Sequence, residues 1–414
     1  MKKSSGPKGP KGPNNSRGRD NSRNRKDPRD RQGATPLPDA RKVAVEALVR
    51  VERDGAYANL ILPKMLSRSG LGERDRAFAT QLVYGTIRYQ RGCDWFIERF
   101  AIGELEPEVK AALRVGTYQL RFLSTPPHAA VSATVDTVPR RARGLVNAVL
   151  RKISGAEDSW PSKAVELSYP DWIFETLTND LGAQDALAAL ESMNSPASAV
   201  EREDGYIQDR ASQFVVEAVD AAADHLVADL CSAPGGKATA LAGLAAHVAA
   251  CEIRPARAGL VAANVERLGL DGSKLSVLVA DGLNPPYAAE SFDRVLVDAP
   301  CSGLGSLRRR PDARWRIDEQ APQRLAKLQV ALLDRAADLV APGGWLIYSV
   351  CTLTKAETTG VAEEFERTHG QWSALEPLAE PWKPWGSGSI LLPQEQGTDA
   401  MALFRWRRPD SQES

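Results

Sequence analysis

From Asp39 to about Ser154 the apolar positions recur at intervals of three and four: Ala44, Ala47, Leu48 and Val51; Phe78, Leu82, Val83 and Ile87; Val109, Leu113, Val115 and Leu120. That spacing puts each set on one face of a helix. Pro126-Pro127 punctuates the pattern, and Val135 to Ile153 reads as further helix. β-branched runs bounded by turns are absent, so this stretch is predicted to be a compact all-α domain. After Pro161 and Pro170 another helix is predicted from Trp172 to about Met193, and helix resumes near Ala211. Asn194 to Ile207, between them, fits no regular element.

From His225 the pattern changes. Short apolar runs alternate with helical segments: Leu226–Leu230, then Ala238–Ala246; Val248–Ile253, then Ala256–Leu268; Ser276–Ala280; Arg294–Asp298; Leu325–Val340; Trp345–Ser349. This βαβαβ order predicts an α/β fold with a mostly parallel, doubly wound sheet. Such sheets bind ligands beyond the carboxyl ends of their strands, so the chemistry is expected just after each apolar run.

Composition adds a boundary at the other end. The 414 residues are 43% hydrophobic and 26% charged with a formal net charge of zero, as in an ordinary globular protein. Residues 1–38, however, hold five Lys, six Arg and three Asp, a surplus of eight positive charges that the remainder balances. A tail so rich in Gly, Pro, Ser and Asn is expected to be disordered. It would either add non-specific phosphate affinity or merely solubilise. No apolar run reaches membrane-spanning length, and Met1 to Arg31 lacks the apolar core of a secretory signal. The five cysteines are widely spaced, with no Cys-x-x-Cys pair, which excludes a zinc knuckle and points to a reducing, cytoplasmic setting.

The first predicted strand runs into Asp229-Leu-Cys-Ser-Ala-Pro-Gly-Gly-Lys237, where Cys231, Ser232, Ala233, Pro234, Gly235, Gly236 and Lys237 form a turn that backbone and ligand can approach closely. A P-loop is excluded because Ala238, not Ser or Thr, follows the lysine. The second strand ends at Glu252, 23 residues past Asp229, where an acid suits a ribose diol. The third ends at Asp281, placed to accept from an adenine amino group. Three successive strand tips of this kind describe a nucleoside site, and the adenosine of S-adenosylmethionine is its economical occupant. Asn284-Pro-Pro-Tyr287 spells the motif of amino-group methyltransferases but follows the wrong strand, so it reads as a turn.

The fourth strand ends in Asp298-Ala-Pro-Cys301 and the next in Tyr348-Ser-Val-Cys351. Two cysteines beside a methyl donor suit methylation at C5 of a cytosine. That carbon becomes nucleophilic only after a thiolate adds at C6. A nearby positive charge, such as Lys237, would favour the thiolate. Asp298, carrying or sharing a proton, would bond the cytosine N3. Cys93 and Cys251 read as buried small hydrophobes, and Cys231 as a wall of the cofactor site. Arg308-Arg-Arg310 and Arg314-Trp315-Arg316 suit a phosphate backbone and a stacked base, or else a solvated loop.

These residues carry a resemblance. Cys231 to Lys237, Asp298-Ala-Pro-Cys-Ser-Gly-Leu-Gly305, Arg309-Arg-Pro-Asp312 with Trp315, Tyr348-Ser-Val-Cys351 and Gly397-Thr-Asp399 resemble, in order and spacing, the bacterial Sun/Fmu family of RNA 5-methylcytosine methyltransferases. Arg74 to Phe78, Leu82 to Arg88, His128 to Val131 and Gly144 to Arg151 look like the NusB-like RNA-binding domain at the front of that family's ribosomal members. The resemblance spans roughly residues 40–408. It implies a Rossmann-like S-adenosylmethionine-dependent methyltransferase domain behind an all-α NusB-like domain, with one cytosine of 16S ribosomal RNA as target. It implies Cys351 as nucleophile, Cys301 as the residue assisting product release, and Cys231 to Lys237, Glu252, Asp281 and Asp298 as cofactor contacts. RNA is then the partner, with no metal and no membrane, and the chain acts as a monomer.

The organisation expected is a basic tail over 1–38, a NusB-like domain over 39–157, a linker with a shortened substrate-facing subdomain over 158–224, and a catalytic domain over 225–414. The chain departs from the family at Thr352, at Ala356-Glu357-Thr358, at Pro393-Gln394 and in the brevity of Asn194 to Gly205. Transfer RNA as substrate, and an inactive RNA-binding assembly factor, are the alternative readings. Cysteine roles exchanged, as in DNA cytosine methyltransferases, would mark another class.

Overall fold

The computed structural model describes residues 39–198 and 200–410; the basic tail predicted over 1–38 lies outside them. The front half is helical as predicted. Asp39 caps α1 (Ala40–Arg53), its carboxylate accepting from the Arg41 amide at 2.8 Å, the usual way to satisfy a free helix-start N–H. There follow α2 (Ala58–Arg68), α3 (Glu73–Arg88), α4 (Gln90–Glu98), α5 (Pro107–Arg121, with proline in its first turn), α6 (Pro127–Val135) and α7 (Arg143–Ser154). Their apolar faces close one core containing Leu48, Leu82, Ile87, Phe96, Leu113 and Leu150. The predicted run from Val135 to Ile153 is interrupted. Helix α6 stops at Val135 and a 3-10 turn over Arg140–Ala142, entered through Pro139, leads into α7.

Two short helices, α8 (Lys163–Glu166) and α9 (Asp171–Leu181), lead to α10 (Ala183–Ser192). The single helix predicted from Trp172 to Met193 is therefore two. Gly182 sits at φ 85°, in the region that L side chains avoid, and the chain turns there. Asn194 to Ile207 holds one antiparallel bridge, Glu201 to Ile207, before α11 (Arg210–Val219).

The second half is built on β1 (Leu226–Asp229), β2 (His247–Glu252), β3 (Leu275–Val279), β4 (Phe292–Asp298) and β5 (Val340–Val350), all parallel. Helices α12 (Gly236–Ala242), α13 (Pro255–Arg267) and α14 (Ala321–Leu339) connect them. After α15 (Thr359–Thr368) the chain adds β6 (Ser373–Ala374), β7 (Lys383–Trp385), β8 (Gly388–Leu391), the short α16 (Pro393–Gln396) and β9 (Met401–Arg407). The sheet order is β3-β2-β1-β4-β5-β9-β8-β7, with β6 on β9 and the β9 pairings antiparallel. One face packs on α9, α10, α14 and α15, the other on α11, α12 and α13, so the sheet is doubly wound. Strand order reverses between β1 and β4, which opens the ligand crevice at their carboxyl ends. Among the described residues no helix is long and apolar enough to cross a membrane.

Candidate active site

The strand tips meet at that crevice. Cis-Pro234 and Gly235 turn the chain from β1 into α12. Gly235 holds φ 105°, and a side chain there would press its Cβ to 3.2 Å from the Val261 main chain, so only glycine fits the turn. The turn is tied down on its outer side: Ser232 donates its amide and hydroxyl to Cys251 O, each at 3.0 Å. Arg257 donates to Ala233 O at 2.8 Å and Asn264 to Pro234 O at 2.9 Å. Its inner side is left for a ligand.

Asp229, fully buried, accepts from the Cys231 amide at 3.3 Å through Oδ1, while Oδ2 has no partner. Burial, reinforced by the charge of Asp298, pushes its carboxyl up to about 7. A buried carboxylate oxygen without a donor is costly unless a ligand supplies one. Glu252 at the end of β2 is buried and accepts from the Arg254 amide at 3.0 Å. Asp281 just beyond β3 accepts from the Leu283 amide at 3.0 Å and remains half-buried. The three acids stand at successive strand tips, as the sequence predicts. An orphaned acceptor, a glycine cradle and acids for a diol and an amino group fit an adenosine-bearing cofactor. Asn284 is exposed and donates its amide to Asp281 O, while Tyr287 packs edge-on against Phe292, so that motif is a turn.

Lys237 reaches from α12 to Asp298 at 2.6 Å, and Ser349 donates to the other Asp298 oxygen at 2.7 Å. Burial alone would lower the lysine; the adjacent Asp298 outweighs it and raises its pKa. The ammonium is thereby fixed as a cation beside the cysteines.

Cys301 and Cys351 come together, Sγ to Sγ 3.4 Å, although 50 residues separate them. Either sulfur could donate across this contact; with Cys301 as donor, the bond lowers the Cys351 thiol against burial, with Lys237 assisting. The same bond, with burial, pushes Cys301 well up. Burial likewise raises Cys93, Cys231 and Cys251, the last to about 11. Of the five cysteines only Cys351 is biased toward thiolate, the form that attacks carbon.

Glu357, which the motif reading noted only within a departure from the family and gave no role, joins the two cysteine loops. Fully buried, it accepts from the Ser302 amide (2.7 Å), Ser302 Oγ (2.5 Å), Thr352 Oγ1 (3.2 Å), Thr354 Oγ1 (3.0 Å) and Gln329 Nε2 (3.2 Å). Its one sequence signal is an acid six residues after Cys351, flanked by hydroxyls. Gly305 closes the same junction, donating to Cys351 O at 3.0 Å and accepting from the Ala400 amide at 2.9 Å.

Arg314-Trp315-Arg316 departs from both of its readings, the phosphate and base contact and the solvated loop. Arg314 is completely buried, bonded to Arg88 O, Ser168 O and Asn194 Oδ1 with its guanidinium over Tyr169. Trp315 donates to Ile87 O at 2.8 Å, and Arg316 to the carbonyls of Gly55 and Ala56. These side chains stitch the helical half to the α/β half. Their charge pattern alone does not distinguish a seam from a ligand surface. Among the described residues no group of His, Cys, Asp and Glu is arranged to hold a metal ion.

A family model described as 16S rRNA methyltransferase RsmB/F matches residues 216–405, and a NusB family model matches residues 38–155. The ribosomal RNA small subunit methyltransferase B of Thermus thermophilus is 34% identical over 406 residues, covering 90% of this chain and 98% of that one. The Mycobacterium tuberculosis protein Rv1407 is 36% identical over 453 positions, covering 90% of this chain and 97% of that one. Since 453 positions exceed the 414 residues of this chain, that relative carries segments this chain lacks. The crystal structure of PH0851 shares the fold, with a TM-score of 0.74 at 22% identity over 90% of this chain and 99% of its own. By sequence, the chain belongs to the RsmB/F family of 16S rRNA methyltransferases, with a NusB-family domain in front of a Rossmann-like methyltransferase domain.

Proposed function

We propose that the protein methylates carbon 5 of a cytosine in 16S ribosomal RNA, using S-adenosylmethionine and Cys351 as covalent nucleophile. The observation that carries this reading is the thiol pair: Cys351 alone is lowered, and Cys301 stands 3.4 Å away as its donor. The family and its ribosomal relatives support the substrate.

The turn from Cys231 through Ser232, Ala233, Pro234, Gly235 and Gly236 to Lys237, with Glu252, Asp281 and Asp298, would hold the cofactor. When bound, the cofactor supplies an electrophilic methyl carbon. Glu252 would accept from the ribose diol and Asp281 from the adenine amine. The Cys351 thiolate adds to C6 of a splayed-out cytosine, forming an S–C6 bond and pushing an electron pair toward C5. Asp298 sits at the tip of β4, where a proton that it carries or shares would bond the cytosine edge at N3, with Lys237 and Ser349 fixing its orientation. C5 takes the methyl group as the methyl–sulfur bond of the donor breaks; the C5 proton then passes to solvent, its electron pair reforms the C5–C6 double bond, the S–C6 bond breaks and Cys351 leaves as thiolate, with Cys301 assisting release. A reducing, cytoplasmic setting keeps both thiols free. Residues 39–157 act as the RNA-binding domain and 225–414 as the catalytic domain of a monomer, with 158–224 as linker and reduced substrate-facing segment.

The test incubates unmodified 16S ribosomal RNA and the cofactor with wild type, Cys301→Ala and Cys351→Ala, reading methyl transfer and a covalent protein–RNA band. Expected are transfer by wild type, a trapped adduct with Cys301→Ala, and neither with Cys351→Ala. An adduct trapped by Cys351→Ala would reverse the two roles. Transfer RNA modified in place of 16S RNA would change the substrate, and cofactor binding without any transfer would point to a non-catalytic assembly factor.

A further inference from the structure

A cleft of about 1410 Å³ separates α3 and α5 of the helical half from the 194–208 segment and the Arg308-Arg309 corner of the catalytic half. Its charged lining is one-sided: Arg41, Arg74, Arg88, Arg308 and Arg309 against Asp75 alone. Two of these cations are buried without a carboxylate. Arg88, 4% exposed, donates to Arg308 O at 2.8 Å; Arg308, 7% exposed, donates to Thr398 O at 3.0 Å and Pro196 O at 3.3 Å. Each also keeps an Nε–H with no acceptor. Behind them the buried Arg314 bonds Arg88 O. Buried cations held only by neutral carbonyls are costly, and their field is relieved by an anion placed in the cleft.

The rest of the lining narrows the anion's identity. Phe78, Tyr84 and Phe122 are part-buried beside the arginines; Arg41 lies over the Phe78 ring at 5.0 Å and Phe122 stacks on Tyr89, whereas Tyr84 is in no such pair among the described residues. Aromatic faces beside guanidinia suit unpaired bases strung on phosphates; a duplex hides its base faces. The protein's own residues 1–38 carry eight surplus positive charges, the wrong sign for a basic cleft. The cleft also runs toward the chemistry. Gln208, one of its walls, would touch a Cβ on Gly236, and Arg309, another, bonds Asp399 at 2.6 Å beside Ala400, the neighbour of Gly305.

We propose that this cleft holds unpaired RNA nucleotides next to the target cytosine, phosphates against Arg41 and Arg74 and a base on Tyr84. This rests on the RNA methyltransferase reading. It adds which surface reads the substrate, and that it reads a single strand.

The experiment measures binding of a labelled unstructured RNA of about twelve nucleotides, the scale of a single-strand site, and of the same sequence as duplex. Wild type, Arg74→Gln and Tyr84→Ala are compared at two salt concentrations, with melting temperature and cofactor-induced stabilisation as controls on folding. Expected are preference for the single strand, about tenfold weaker binding by each variant, and a salt dependence reduced by about one ion for Arg74→Gln. Equal binding by the variants, preference for duplex, no RNA binding by wild type, or equally potent competition by polyglutamate would each overturn the cleft as an RNA site. Methyl transfer is assayed in parallel. Transfer with KM unchanged in both variants defeats the cleft and leaves the enzymatic reading standing. Variant-sensitive binding without transfer does the reverse.

Discussion

The sulfur of Cys301 lies 3.4 Å from that of Cys351, and their shared proton pushes the two thiols in opposite directions: Cys351 down, Cys301 well up. A thiol reacts through its thiolate, so alkylation of Cys351 by iodoacetamide is expected to rise with pH and level off at an inflection below 9, the ordinary thiol value. Cys301→Ala removes the donor while burial, Asp298 and Asp399 still oppose ionisation, so the inflection moves to higher pH. At neutral pH the alkylation rate then drops about tenfold for every pH unit by which the inflection climbs. Measuring the rate between pH 6 and pH 10 in both proteins decides it. An unmoved inflection would assign the low value to Lys237 instead.

Glu357 supplies a second prediction because it bonds residues from both cysteine loops. Glu357→Gln turns one acceptor oxygen into an NH2 that faces other donors, so at least one buried bond is lost and one donor is orphaned. The cost in stability is about 1–3 kcal/mol. The kinetic effect is separable from that cost: Ser302 and Thr352 flank Cys301 and Cys351, and a loosened junction misplaces the thiols by fractions of an ångström. We expect kcat to fall about a hundredfold with KM nearly unchanged, at a temperature where the variant is fully folded. A loss of melting temperature with kcat intact would make Glu357 purely structural.

The strand tips were legible because parallel strands buried on both faces read as short apolar runs. The chain order of those runs put Cys301 and Cys351 on the neighbouring tips of β4 and β5. The site acids followed from the same logic, since each ends such a strand or is the first polar residue beyond it. Helix continuity was less legible: a glycine inside an apolar-periodic stretch is tolerated or breaks it, and only the φ of 85° at Gly182 decides. Burial of charge was not legible at all. Arg308 and Arg314 look in sequence like Arg309 and Arg310, which are exposed, because the carbonyls that hold them belong to residues as distant as Arg88 and Thr398. Glu357 escaped for the same reason, its partners lying on three separate segments.

Gly305 is where close approach rather than turn geometry demands glycine. A methyl group there would sit 2.8 Å from Ala400 Cβ, 2.9 Å from Ala400 O and 3.0 Å from Cys351 O, two of them main-chain atoms that cannot swing away. Gly305→Ala must therefore separate the Cys301 loop from the Cys351 strand end. Overpacking of this kind costs about 1–3 kcal/mol. The expected signature is a lower melting temperature together with loss of the Cys351 pH inflection below that of an ordinary thiol. A variant that melts like wild type and alkylates with an unchanged profile would show that the loops accommodate the methyl group.

Asp229 gives a prediction whose sign follows from its raised carboxyl. In the folded chain burial and Asp298 push it up to about 7, against 3.8 for a free carboxyl, so the unfolded chain releases the proton first as pH rises. The raised value therefore costs folding stability progressively from about pH 4 to pH 7, by a few kcal/mol in all, and the cost is constant above that. Asp229→Asn cannot ionise and escapes this loss. Its urea midpoint relative to wild type should climb between pH 4 and pH 7 and then run parallel. The free Oδ2 is also the one buried acceptor at the cradle without a donor, so the ammonium group of S-adenosylmethionine is its expected partner. Ligand-induced stabilisation of wild type should then be larger at pH 8, where the carboxylate is ionised, than at pH 6. In Asp229→Asn it should be smaller at both pH values and nearly independent of pH. Equal pH dependence in the two proteins would move the ammonium to another acid.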